Sequence, residues 1–192
     1  HFGQPPVLVG ASMGGGTSLT AVGEGRVDAI ALVLVDTAPR IEVAGVRKIR
    51  DFMRQAPDGF SSLDEVAEAI ANYQPHRKRP RTLDGLAKNV RLWSDGRYRW
   101  HWDPEFMQRK RSIADRIPRQ EEAARNVRCP SLLVRGGLSD VLSEEGADAY
   151  LKLVPHSEYS NVSDAAHMVA GDRNDIFVAA VLKFLSDVAP AK

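Results

Sequence analysis

Cysteine is almost missing from this sequence. Cys129 is the only one in 192 residues, so no disulfide can close within the chain, and cysteine usage gives no reason to place it in an oxidising compartment. Long apolar runs are missing too. The longest, from Ala29 to Val35, is far shorter than the roughly 20 residues a membrane-spanning helix needs. The opening HFGQPPVLVG lacks the basic-then-apolar order of a signal peptide. Nor is there an excess of charge: 26 Lys and Arg face 25 Asp and Glu, so the whole chain has no field that would draw it to nucleic acid or to an anionic membrane. Histidines and carboxylates show no metal-ligand spacing. These absences predict a cytoplasmic protein with no membrane or nucleic-acid partner, no metal and no cofactor.

What is present suits a globular chain. Hydrophobic residues make up 43% of it, enough for a core at this length. Pro6-Val7-Leu8-Val9-Gly10 is a short apolar run ending in glycine, as expected of a strand buried on both faces. Small residues over Gly14–Glu24 then suit a helix packed closely on a sheet. Ala29–Val35 reads as a second strand, stopped by Asp36-Thr37-Ala38-Pro39. A third strand is expected over Ser131–Arg135 and a weaker edge strand over Glu158–Val162. Between them Ser143 caps a helix that Pro155 ends. The spacing of Ile176, Phe177, Ala180, Val181, Phe184 and Leu185 predicts a final helix from Asn174 to Val188. Alternating strand and helix indicates an α/β fold, a mostly parallel sheet flanked by helices.

Residues 39–118 interrupt that alternation and are too long for a structureless loop. Helical spacing over Arg47–Arg54, Leu63–Tyr73 and Leu83–Trp93, the last after a candidate Thr82 cap, predicts an inserted, mainly helical lobe. The organisation is then 1–38 core, 39–118 lobe and 119–192 core. The basic run His76–Arg81 has no interleaved aromatics and reads as a solvated loop of that lobe.

Gly10-Ala11-Ser12-Met13-Gly14 fits G-x-S-x-G at a strand-to-helix turn, the setting in which a serine is presented as a nucleophile. Glycines there let neighbouring backbone come close. The competing reading, a phosphate-binding turn, finds neither G-x-G-x-x-G nor a G-x-x-x-x-G-K-[ST] pattern in these residues. A serine nucleophile needs a base, and the base needs an orienting acid. His167, ahead of the final helix, and Asp140, after the third strand, follow Ser12 in the order Ser, Asp, His.

The segments VGASMGG, RGGLSDVLS and DAAHMVAGDRND resemble the nucleophile, acid and histidine segments of the α/β-hydrolase superfamily, nearest its capped esterase, epoxide-hydrolase-like and cofactor-free-haloperoxidase-like branch. The resemblance covers nearly the whole chain and sets residues 39–118 where that superfamily carries its cap. It implies a serine hydrolase acting on a small ester, lactone, thioester or related carbonyl substrate through an acyl-enzyme. Ser12, Asp140 and His167 would be the catalytic residues, with the Met13 amide as an oxyanion donor. Aspartate is the nucleophile of true epoxide hydrolases and haloalkane dehalogenases, so Ser12 disfavours that chemistry. Some members hold the acid at the position of Asp36, which stands second to Asp140. Trp100, Trp102 and Met168 are candidate substrate contacts, with lobe-core packing as the competing role for the tryptophans; His101 between them carries the same ambiguity. A non-catalytic small-molecule binder on the same scaffold and a cofactor-free perhydrolase are the alternatives. The superfamily also places several strands and a second oxyanion donor before the nucleophile. The chain is therefore expected to be an N-terminally truncated member, with an exposed strand edge and a tendency to self-associate.

Overall fold

The computed structural model describes residues 3–77, 83, 85–103, 105 and 112–189. Two compact units emerge, His1–Gly45 with Ser112–Lys192, and Val46–Arg111.

The first unit holds a parallel sheet of β1 (Val7–Ala11), β2 (Ala31–Val35), β5 (Ser131–Gly136) and β6 (Ser157–Val162), in the order β1-β2-β5-β6. β2 and β5 lie in the middle, and every residue of both is buried, which explains why β2 and the Leu132–Val134 centre of β5 read as continuous apolar runs rather than alternating ones. The two faces still divide by period two. Leu32, Leu34 and Leu133 pack with Leu19 of α1 (Met13–Gly23), Ala124 of α4 (Ile113–Arg125), and Ala147 and Tyr150 of α5 (Glu144–Leu153). Ala31, Val33, Val35, Leu132 and Val134 pack on the other face with Val169 of α6 (Val169–Asp172) and Phe184 of α7 (Asn174–Val188). β6 pairs only with β5 among the described strands, as its weaker apolar pattern predicts.

Local signals set several boundaries. Ser143 Oγ accepts the amide of Gly146 at 3.1 Å, closing the first turn of α5, whose early glutamates suit the positive end of the helix dipole. α4 opens on a capping box between Ser112 and Asp115. Pro118 lies inside α4 rather than ahead of it; as the sixth residue it removes the N–H that would otherwise reach the carbonyl of Ala114.

The second unit carries most of α2 (Val43–Met53), α3 (Leu63–Tyr73), a short 3-10 turn at Leu86–Lys88, and an antiparallel hairpin of β3 (Val90–Leu92) and β4 (Tyr98–Trp100). Its core is Phe60, Val66 and Val90, with Leu63, Ile70, Tyr98 and Trp100 against it. Ser62 caps α3 by accepting the Glu65 amide at 3.2 Å, while Glu65 reaches back to the Ser61 amide at 2.7 Å. The helix expected over Leu83–Trp93 is not formed. Leu86 and Val90 are both buried, as a helical spacing would have them, but Ser94-Asp95-Gly96, with Gly96 at φ 76°, turns the chain back so that Val90 pairs with Trp100. Two apolar residues four apart cannot separate a helix from a turn followed by a strand. The candidate cap Thr82 lies outside the described residues. Among those residues, no helix is long and apolar enough to cross a membrane.

Candidate active site

Parallel register brings the site together. Ala11 lies opposite Val35, and Val35 opposite Val134, so the residues that follow β1 and β2 leave the sheet at one level. Those residues are Ser12 and Asp36, and both are non-glycine residues with positive φ, 49° and 50°. This left-handed backbone is costly for an ordinary side chain and is held only where the surroundings fix it. Ser12 is fixed by its amide, which donates to Val35 O at 3.0 Å, and by its carbonyl, which accepts Gly16 N–H at 3.1 Å. The Asp36 amide donates to Val134 O at 2.7 Å. Gly10 is indispensable to the turn: a Cβ there would stand 2.6 Å from the Gly14 carbonyl and the Gly15 Cα, closer than carbon atoms approach.

His167 bridges the two strand ends. Its Nε2 lies 3.0 Å from Ser12 Oγ and its Nδ1 lies 2.7 Å from Asp36 Oδ2. Asp36 is fully buried, and a lone carboxylate so placed would be strongly disfavoured. It is compensated by three donors: Gly136 N–H to Oδ1 at 2.8 Å, Ser139 Oγ–H to Oδ2 at 2.5 Å, and the imidazole. Ser139 is itself oriented, since its Oγ accepts the amides of Val141 and Leu142 at 3.1 and 3.2 Å and its proton is left for Asp36. The loop carrying His167 is held from two sides. Gly136 and Gly137 pack directly on Ala165, Ala166 and Ser163, where a Cβ would collide, and Asp172 accepts the Ala166 amide at 2.9 Å.

The acid on the histidine is therefore Asp36, not Asp140. Asp140 is solvent-exposed, and its backbone carbonyl lies where Gly45 at the start of α2 packs against it. The glycine-rich loop in which it lies does serve the site, through Ser139 one residue earlier. Met13 opens α1 and is exposed, as is Met168 beside His167. Trp100 and Trp102 stack on each other with centroids 4.7 Å apart, and Phe52 lies 5.2 Å from Trp100 and stacks on Tyr73 at 4.2 Å. The tryptophans thus belong to an aromatic cluster inside the second unit. His101 is exposed, and His156 Nε2 lies 3.1 Å from the carbonyl oxygen of Cys129, away from the site. Among the described residues, no three His, Cys, Asp or Glu side chains gather as a metal site would require.

A serine, imidazole and buried carboxylate in line can move a proton from the hydroxyl to the ring. The model of the Alpha/beta hydrolase family matches residues 1–180. The chain belongs to that family. Esterase YbfF of Escherichia coli (strain K12) is 25% identical over 94% of this chain and 67% of its own length. The sn-1-specific diacylglycerol lipase ABHD11 of Mus musculus is 25% identical over 95% of this chain and 59% of its own. Among solved structures, E-2-(acetamidomethylene)succinate hydrolase superposes with a TM-score of 0.76 at 22% identity, over 95% of this chain and 67% of the other. The chain thus spans about three-fifths to two-thirds of the length of these α/β-hydrolase relatives.

Proposed function

We propose that this α/β hydrolase cleaves a small ester, lactone, thioester or related carbonyl compound through an acyl-enzyme, with Ser12 as nucleophile, His167 as base and Asp36 as the orienting acid. The observation that carries the reading is the continuous line Ser12 Oγ, His167 Nε2, His167 Nδ1, Asp36 Oδ2, with steps of 3.0 and 2.7 Å. His167 takes the hydroxyl proton as Ser12 Oγ attacks the carbonyl carbon. The imidazolium, held by Asp36, returns that proton to the leaving group, and the ester of Ser12 remains. In the second half His167 takes a proton from water, hydroxide adds to the acyl carbon, and Ser12 leaves as the alcohol. Met13 opens α1, so its N–H has no carbonyl four residues back in the helix and is free by position to donate to the tetrahedral oxyanion. The relatives named esterase and lipase support ester-type substrates.

The test is mass-spectrometric mapping of a fluorophosphonate probe on the chain and on Ser12→Ala and His167→Ala. Adduct confined to Ser12 and lost in His167→Ala is the expected result. A folded chain that takes up no probe, or takes it elsewhere, would overturn the reading.

A further inference from the structure

The near-neutral total conceals two units of opposite sign. Val46–Arg111 carries 15 Lys and Arg against 9 Asp and Glu, a net of +6, while the remainder carries 11 against 16, a net of −5. Most of that excess lies on residues outside the described ones, but the hairpin itself, residues 90–100, carries three arginines against one carboxylate, a net of +2. The hairpin end is also apolar on both sides. Leu92 ends β3 with 62% of its surface exposed, and Trp93 follows at 55%. Successive residues of an extended chain point to opposite faces, so neither side of the hairpin buries both. Cations flank the tryptophan. Arg91 is exposed, and Arg99 stands over the Trp93 ring, 4.8 Å from its centroid. Arg97 spends its guanidinium on the carbonyls of Asp58 and Gly59. Asp95 is the one carboxylate in the turn, and it pairs with Arg99 at 2.7 Å. On the same unit, Arg47 and Arg50 of α2 and Arg54 just beyond it are exposed, with Asp51 among them.

We propose that the β3–β4 hairpin end, Leu92 and Trp93 with Arg91 and Arg99 beside the tryptophan, docks on an anionic lipid surface. Tryptophan and a long aliphatic side chain at a hairpin end suit the boundary between headgroup and acyl chain, where an amphipathic ring is most stable. Arg91 and the net positive charge of the hairpin suit negative headgroups, an attraction that fades within a Debye length. A polynucleotide is the less apt partner: it would use Trp93 as a stacking platform but leave Leu92 unexplained. The surface needs nothing from Ser12, so this inference and the hydrolase reading stand or fall separately.

Sedimentation of the full chain with vesicles of phosphatidylglycerol and phosphatidylcholine in equal parts, against vesicles of phosphatidylcholine alone, is the test. Binding to the mixed vesicles, weakened by salt, is expected. The double variant Leu92→Ser, Trp93→Ser should partition at least about tenfold less, and Arg91→Glu about fivefold less. Leu182→Ser, which removes an equally exposed leucine from α7 in the other unit, should bind as the parent does. Both substituted hairpin residues are exposed, and circular dichroism of each variant checks that the fold is kept. Equal binding to both vesicles, no binding to either, or binding unchanged by the hairpin variants would overturn the proposal. So would capture of single-stranded oligonucleotide in place of the vesicles.

Discussion

Asp36 follows β2 directly and Asp140 follows β5 by four residues, and it is Asp36 whose Oδ2 meets His167 Nδ1. Asp36→Asn keeps the shape of the side chain but lets the imidazole settle in the wrong tautomer, and the rate of fluorophosphonate labelling should fall by about three to four orders of magnitude. Asp140→Asn should label at close to the parent rate; the converse pattern would return the acid to position 140. Ser139→Ala removes one of three donors from a buried carboxylate, and labelling should slow by about tenfold or more, with Ser139→Thr restoring part of the rate. The sequence motif pointed to Ser12 because glycines at 10 and 14 mark a turn that few other arrangements require. It pointed to His167 because one histidine stood ahead of the last helix with no other evident task. The acid was not legible in the same way. Choosing between two aspartates requires knowing that Ala11 lies opposite Val35, and register is a pairing between strands that neither strand's own residues encode. Ser139 was missed for a related reason: its partner stands 103 positions away.

At the scale of elements, apolar period and end signals carried most of the assignment. α3 and α7 run over the residues their spacing predicts, Leu63–Tyr73 and Asn174–Val188, because each has several apolar positions on one face, and α3 has the Ser62 cap as well. The segment 83–93 failed because it has too few turns for its period to be read and a hairpin partner that lies beyond it. Two element-scale outcomes follow from the contacts. Gly136→Ala would drive a methyl group into the Ala165 and Ala166 carbonyls, and the chain should lose stability on the order of 1–3 kcal/mol in urea titration, with labelling of Ser12 falling as the histidine loop shifts. Ser62→Ala removes the α3 cap and should cost about 1 kcal/mol while leaving Ser12 labelling as it was, since the cap serves only the second unit.

For the molecule as a whole, buried polar groups set how stability depends on pH. Burial pushes the Tyr150 hydroxyl up from its ordinary value near 10, partly offset by its hydrogen bonding with Ser131 and Ser157. The folded chain thus keeps its proton where the unfolded chain has begun to lose it. That contribution is whole below about pH 10 and disappears as pH rises from there through the folded value. Melting temperatures should accordingly fall above about pH 10 in the parent and fall less steeply in Tyr150→Phe, once the lost hydrogen bond is counted as a constant offset. The common level at which β1 and β2 end has a consequence for insertional mutagenesis. The distance from Ser12 to Asp36 is set by the interstrand spacing of the sheet, about 4.8 Å per strand, and not by the length of any connection. Extra codons in the turn after α1, around Gly25 to Asp28, should therefore pass unnoticed in a selection for activity. A single codon gained or lost within 7–11 or 31–35 should be lethal to the site, because it would carry Ser12 or Asp36 to the wrong rung and the opposite face.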